Sequence, residues 1–153
     1  MTRWGIGPRW ALACVVLCVP LLVVGRLWPG AFAIPAPRLV LVLAGCALLA
    51  IGVPFCVSAM AVLHRGFPEG KLFTRGAYSL CRHPIYASWV VFLVPAIALL
   101  GGTWLLLLAP PLMAALLLRM VRAEEQWLEG KFGDEYRAYR RRVRAILPWP
   151  RRG

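Results

Sequence analysis

Charged side chains are scarce in this sequence, and acidic ones are the scarcest. Of 153 residues only 16% are charged while 61% are hydrophobic, and six Asp and Glu stand against 18 Lys and Arg. A water-soluble domain carries about 25% charged residues, so this composition excludes one. It also excludes a disordered chain, because disorder requires low hydrophobicity. The length leaves room for one domain.

None of the acidic residues lies inside a long apolar stretch; they are Glu69, Glu124, Glu125, Glu129, Asp134 and Glu135. A proton-coupled transporter normally needs an acid within the membrane, so their positions argue against transport. The sequence also lacks a Cys-x-x-Cys pair and any His, Cys and carboxylate cluster with metal-ligand spacing, and we predict no metal site. The five cysteines are interpreted as small apolar packing residues.

Three long stretches carry no charge at all, at residues 10–25, 39–63 and 85–118. About 20 consecutive apolar residues cross the hydrocarbon core of a bilayer, so these stretches predict membrane-spanning helices. Pro54 predicts a kink in the second, because proline cannot donate the backbone hydrogen bond of a helix interior. The third is too long for one span, and Gly101 and Gly102 at its middle predict a tight turn between two helices.

The predicted fold is therefore an all-α integral membrane protein with a single domain over residues 1–153. It has four transmembrane helices, of which the last two form a tight hairpin. Short cytoplasmic amphipathic helices follow at the C-terminus, where apolar and aromatic residues recur at helical spacing: Leu128, Phe132, Tyr136, Tyr139 and Val143. Gly133 and Asp134 predict a helix stop followed by a new N-cap within that segment.

Lys and Arg counts predict the orientation. If both termini are cytoplasmic, only Arg26 and Arg38 of the 18 basic residues lie outside, as the positive-inside rule favours. The basic run at residues 137–144 is then expected to contact anionic lipids. Residues 31–33 look like a signal-peptide cleavage site, but Trp28 and Pro29 intervene, and we expect the first helix to be retained.

A first polar segment, residues 74–86, enters the third predicted helix. Pro84 suits the first position of a helix, and it pushes His83 out of helical geometry. The free N–H groups of that helix start, with Arg82 beside them, predict a site for an anion such as a carboxylate. Taken alone, His83 and Tyr86 favour the alternative of an ordinary interfacial belt that anchors the helix end.

A second polar segment follows the fourth predicted helix. Arg119 comes directly after the apolar block, so it is expected to lie below the lipid headgroups with Glu124 or Glu125 as its partner. A simple charge cluster at the membrane interface explains the two adjacent glutamates equally well.

In this order, the two segments resemble the isoprenylcysteine carboxyl methyltransferase and phospholipid methyltransferase superfamily. The matching residues are Gly76 to Tyr78, Arg82 to Tyr86, Glu124, Glu125, Phe132, Gly133, Glu135, Tyr136, Tyr139, Arg142, Val143 and Pro148. The resemblance covers about residues 66–150, which would form the catalytic region, after two generic helices within residues 1–65. It implies a small helical membrane enzyme that uses S-adenosyl-L-methionine without a metal.

The resemblance also implies which side chains hold the cofactor. Arg82 and the helix start at His83 would bind the methionine carboxylate, and either tandem glutamate would accept hydrogen bonds from the amino group or ribose. Tyr86 and Tyr136 would line the adenine or methyl channel. The candidate catalytic residues are Arg119, Arg142 and Glu124: an arginine would orient an acceptor carboxylate or phosphate, and the glutamate would serve as base for an amine.

The methyl acceptor stays open at this stage. A lipophilic small molecule or lipid that enters from the bilayer is expected, with a carboxylate, thiol or amine as its nucleophile, and all three would use the same residues. Nucleic acid is not expected as a partner, and the oligomeric state is not predicted. Two other classes compete: a sterol-reductase-like enzyme with a nicotinamide cofactor, and a non-enzymatic four-helix scaffold whose basic tail binds lipid.

Overall fold

The computed structural model describes residues 6–66 and 72–147, and over these residues it is helical, without strands. Its helices are α1 (Gly7–Leu27), α2 (Pro29–Phe32), α3 (Arg38–Gly66), α4 (Ala77–Leu80), α5 (Pro84–Ser88), α6 (Val94–Gly101) and α7 (Ala109–Arg142). Four segments are long and apolar enough to cross a membrane: Gly7–Leu27, Arg38–His64, Pro84–Gly101 and Leu105–Arg142. The predicted all-α membrane fold is confirmed. Glu69 and Pro148, named above, lie outside the described residues.

The hairpin predicted within the third apolar stretch is also confirmed. Its first arm runs through α5, a π-helical turn (Trp89–Leu93) and α6. Gly102 then adopts a left-handed conformation with φ of 69°, which ends α6 and is costly for residues with a side chain. A short 3₁₀ turn (Leu105–Leu108) leads into α7.

The π turn has a local cause in the sequence. Pro95 lies two residues after its end and has no N–H, so the carbonyl of Val91, four residues earlier, receives no hydrogen bond from it. Val91 lies within the π turn, where the backbone hydrogen bonds span one residue more than in an α-helix.

The two N-terminal spans pack against different parts of the hairpin. The second span, α3, lies along α5, the π turn and α6, whereas α1 lies against α7, the 3₁₀ turn and α6. The α3 contact is close because it uses glycines: an added Cβ at Gly45 would lie 2.7 Å from Leu100, and one at Gly52 would lie 2.5 Å from Phe92. Small residues let helix backbones approach in a membrane, where packing replaces the hydrophobic effect as the driving force.

The last helix, α7, continues from the apolar segment into the polar C-terminal segment with one interruption. Gly133 has φ of 52° and ψ of −123°, so the helix kinks where the sequence predicts a stop. The predicted new N-cap at Asp134 has a different contact, because its Oδ1 accepts hydrogen bonds from Arg137 at 2.8 and 3.1 Å. The residues of the predicted apolar stripe, on both sides of the kink, pack as one cluster together with Leu72: Leu128, Phe132, Tyr136, Tyr139 and Val143.

Candidate cofactor site

Three charged or ionisable side chains meet where α5 begins, beside the polar half of α7. Glu125 Oε1 accepts hydrogen bonds from Arg82 Nη2 at 2.6 Å and from Arg82 Nε at 2.9 Å. The His83 Nε2 atom lies 3.3 Å from the same oxygen. All three side chains are at most 8% exposed. A buried charge pair is tolerated only when its hydrogen-bonding groups are satisfied, and here the pair is charge-balanced and bonded in two places.

Arg82 also holds the C-terminal end of α7. Its Nη1 donates to the carbonyl of Val143 at 2.5 Å and to that of Arg140 at 3.3 Å. These two bonds and the two to Glu125 engage four of the five N–H groups that a guanidinium carries. The second N–H on Nη2 has no hydrogen-bond partner among the described residues, and the Tyr136 hydroxyl lies near this guanidinium.

Backbone pairing fixes the same segment over the start of α5. The N–H of Arg82 donates to the carbonyl of Arg144 at 2.8 Å, and the N–H of His83 donates to that of Ala145 at 3.0 Å. The Tyr139 hydroxyl donates to the carbonyl of Tyr78 at 2.6 Å. The backbone N–H groups of residues 82 and 83 are thus engaged within the chain and do not face a ligand.

Two buried polar atoms beside this cluster have no hydrogen-bond partner among the described residues. They are the Glu124 Oε2 and the Tyr136 hydroxyl. A buried polar group left unpaired costs about 1–3 kcal/mol, so such atoms need a reason. Burial, and next the nearby Glu124 carboxylate, raise the pKa of Tyr78, so the half-buried Glu124 lies near the Tyr78 ring.

These unpaired atoms fit S-adenosyl-L-methionine. The cofactor presents an amino group and ribose hydroxyls, which are donors for a carboxylate such as Glu124, and a carboxylate that would accept the remaining Arg82 N–H. Tyr136 can donate to or accept from either. Metal ligation has no comparable set, because residues 6–66 and 72–147 contain no group of three His, Cys, Asp or Glu side chains able to hold an ion.

Tyr86 reaches the first transmembrane helix. Its ring meets that of Trp10 edge-on, with centroids 4.9 Å apart, and lies 6.1 Å from the His83 ring. Trp10 is 4% exposed, and its Nε1 donates to the Met113 carbonyl at 3.4 Å. Sequence reasoning missed Trp10, because tryptophan near a membrane interface is common without any site nearby.

The structure thus gathers Arg82, His83, Tyr86, Glu124, Glu125 and Tyr136. Arg119 and Arg142 are exposed, and the Arg142 Nε donates to the carbonyl of Ala138 in its own helix. The expectation that Glu124 or Glu125 would pair with Arg119 is wrong: Glu124 Oε2 has no partner among the described residues. Glu125 pairs with Arg82 because the start of α5, far away in the sequence, lies beside it in the fold.

Known proteins resemble this chain in sequence. It is 31% identical over 151 residues to the cobalt-zinc-cadmium resistance protein CzcN of Cupriavidus metallidurans. The aligned residues make up 97% of this chain and 65% of the relative. It is 28% identical over 148 residues to the nickel-cobalt-cadmium resistance protein NccN of Alcaligenes xylosoxydans xylosoxydans, with coverage of 97% and 66%. Methanethiol S-methyltransferase 1 of Bradyrhizobium diazoefficiens is 35% identical over 74 residues, with coverage of 48% and 25%.

The chain therefore spans less than two thirds of the length of these relatives. No solved structure matches it. The sequence model of the isoprenylcysteine carboxyl methyltransferase family matches residues 39–130, which include Arg82, His83 and both tandem glutamates. The match takes in more than half of the chain and the buried cluster itself, and the protein belongs to the isoprenylcysteine carboxyl methyltransferase family.

Proposed function

We propose that this protein transfers a methyl group from S-adenosyl-L-methionine to a lipophilic acceptor at the cytoplasmic face of a membrane. The observation that carries the proposal is the buried Arg82, His83 and Glu125 cluster, with the unpaired Glu124 Oε2 beside it. Family membership and the methyltransferase relative support methyl transfer. The Lys and Arg distribution supports cytoplasmic termini, which would bring the site to the side where the cofactor is made.

The contacts of each side chain support a separate role for it in binding the cofactor. The bound cofactor supplies a methyl group made electrophilic by its sulfonium. Arg82 offers its remaining N–H to a carboxylate, while Glu125 holds the guanidinium in place. Glu124 accepts hydrogen bonds from an amino or hydroxyl donor, and Tyr136 gives its hydroxyl to the same ligand. The protein then has to align the nucleophile with the methyl group and exclude water.

For the acceptor we propose a lipophilic molecule with a thiol or carboxylate, which enters sideways from the bilayer. The name of one relative, a methanethiol S-methyltransferase, supports the thiol. Arg119 and Arg142 stay candidates to orient the acceptor, because both are exposed near the polar half of α7. Anionic lipid headgroups are proposed to contact the basic run at residues 137–144.

Calorimetric binding of S-adenosylhomocysteine to the detergent-purified protein tests the proposal. We expect binding at about micromolar affinity, weakened at least tenfold by Glu124→Gln and by His83→Ala. Glu124→Gln is the sharper variant, because its Oε2 has no partner to lose and the fold should keep its thermal stability. Glu135→Gln, at an exposed position, is the matched control and should bind normally.

The other outcomes separate the competing classes. A folded wild-type protein that binds reduced nicotinamide instead would be a sterol-reductase-like enzyme. Binding of neither ligand would overturn methyl transfer and favour the scaffold. An effect of Glu135→Gln equal to that of Glu124→Gln would show that charge in general, not the buried cluster, governs binding.

A second candidate is a role in metal tolerance that needs no catalysis. The names of two relatives, which match 97% of this chain, favour it. Cells that express wild-type or Glu124→Gln protein would be challenged with cobalt, zinc or cadmium salts. Equal protection by both proteins would support the second candidate, whereas protection by the wild type alone would tie tolerance to the proposed cofactor site.

A further inference from the structure

Three sulfur-containing residues, Cys14, Cys18 and Met113, share one apolar core between the first and last transmembrane helices. Cys14 and Cys18 lie one turn apart on α1, on the face that packs against α7. Met113 lies opposite them on α7, and its Sδ is 3.7 Å from the Cys18 Sγ. Cys14 and Met113 are buried in the same apolar core, and Cys18 packs against it. This cluster lies outside the cofactor site.

The spacing suits a shared ligand. Two sulfur atoms bound to one ion at about 2.3 Å, with a tetrahedral angle between them, lie about 3.8 Å apart. The measured 3.7 Å separation therefore needs no rearrangement of these two side chains. Thiolate and thioether sulfurs are soft ligands, and this combination selects soft ions such as Cu(I) over the hard ions that oxygen ligands prefer.

We propose that Cys14, Cys18 and Met113 form a binding site for one soft monovalent metal ion. Binding replaces one thiol proton, which leaves to water, with one metal–thiolate bond. The remaining thiol and the thioether contribute sulfur lone pairs without charge. One positive ion and one thiolate leave the site electrically neutral, as a position inside a membrane span requires.

The test uses the full chain in detergent or nanodiscs, with Cu(I) presented as its bicinchoninate complex under reducing conditions. The wild-type protein is expected to withdraw one equivalent of Cu(I), and Cys14→Ser with Cys18→Ser to abolish this. Met113→Leu keeps nearly the same volume and should keep the fold, yet it removes the thioether and should weaken binding about tenfold. Cys46→Ser and Cys56→Ser, both on α3, are the matched controls and should bind as the wild type does.

The melting temperature provides a second measurement of Cu(I) binding that does not depend on whether the double serine variant folds. Bound Cu(I) should raise the melting temperature of the wild type, and less so that of Met113→Leu, because a ligand stabilises only the state that binds it. X-ray absorption should show sulfur as the copper neighbour. The site would be overturned if the folded wild type withdrew no Cu(I). It would also be overturned if Cys46→Ser lost as much Cu(I) binding as the double variant Cys14→Ser with Cys18→Ser. Neither outcome bears on S-adenosylhomocysteine binding.

Discussion

The two N-terminal spans look alike in sequence but differ in what they contact. α1 buries Trp10 and Cys14 against α7, and through Trp10 it reaches Tyr86 at the candidate cofactor site. α3 lies along the hairpin through Gly45 and Gly52, and its Phe55 ring meets the Phe92 ring of the hairpin edge-on. A span can therefore serve as pure packing or as one wall of a site, and uniform hydrophobicity does not distinguish the two roles.

The largest effect is expected at the α1 contact, from Trp10→Ala. The loss of a buried indole and its hydrogen bond should lower the free energy of unfolding by about 3 kcal/mol. It should also weaken S-adenosylhomocysteine binding, because Tyr86 loses its ring neighbour. Leu12→Ala, on the exposed face of the same helix, is the control and should change neither quantity appreciably. Normal ligand affinity in Trp10→Ala would remove α1 from the site.

A smaller effect is expected at the α3 contact, from Gly52→Leu. The new side chain would collide with Phe92, so overpacking should lower the free energy of unfolding by about 2 kcal/mol. The folded fraction should bind S-adenosylhomocysteine normally, because this contact lies away from the charged cluster. Gly30→Leu, where no atom lies within 4 Å of an added Cβ, should be tolerated. Loss of ligand affinity in folded Gly52→Leu would show that both spans shape the site.

A third experiment tests the hydrogen bond that joins α4, which packs on α3, to the C-terminal part of α7. α4 packs on α3, and the Tyr78 carbonyl at α4 accepts the Tyr139 hydroxyl. Tyr139→Phe should cost about 1 kcal/mol, since it leaves that carbonyl unpaired. Tyr136→Phe removes a hydroxyl with no partner, so it should cost no stability but should weaken S-adenosylhomocysteine binding. Identical behaviour of the two variants would contradict this assignment.

The smallest effects on stability are expected from Arg119→Gln and Arg142→Gln. Both side chains are exposed, so the free energy of unfolding should change by less than about 0.5 kcal/mol. S-adenosylhomocysteine binding should be unchanged. We expect the rate of labelled methyl transfer to fall in at least one of the two. Normal rates in both variants would show that neither arginine orients the acceptor.

Local signals in the sequence predicted most of the fold. The apolar stretches, the turn at Gly102 and the kink at Gly133 depend on residue type and spacing within a few positions, and the structure has all of them. The π turn and the close helix contacts at Gly45 and Gly52 depend on what lies opposite each residue, which spacing along one helix does not reveal.

The sequence predicted which residues form the candidate site but not which of them are hydrogen-bonded to each other. The resemblance pointed to Arg82, His83, Glu124 and Glu125 together, and the structure gathers them. Yet the two glutamates are indistinguishable in sequence, while in the fold one is bonded to a residue 43 positions away and the other is left unpaired. Trp10 contacts Met113 over a separation of 103 residues, and no local pattern carries such a contact.

The π turn at Trp89–Leu93 has a consequence for how this span is oriented. One extra residue per turn shifts the angular phase of everything that follows by about 100°, since an α-helix advances by that angle per residue. Side chains of α5 and α6 with helical spacing in the sequence therefore do not share one stripe. α3 packs along α5, the π turn and α6 alike, so the positions of the arm that meet α3 follow a different phase before and after the π turn. A single inserted residue thus changes which sequence positions of one membrane helix face the same neighbour.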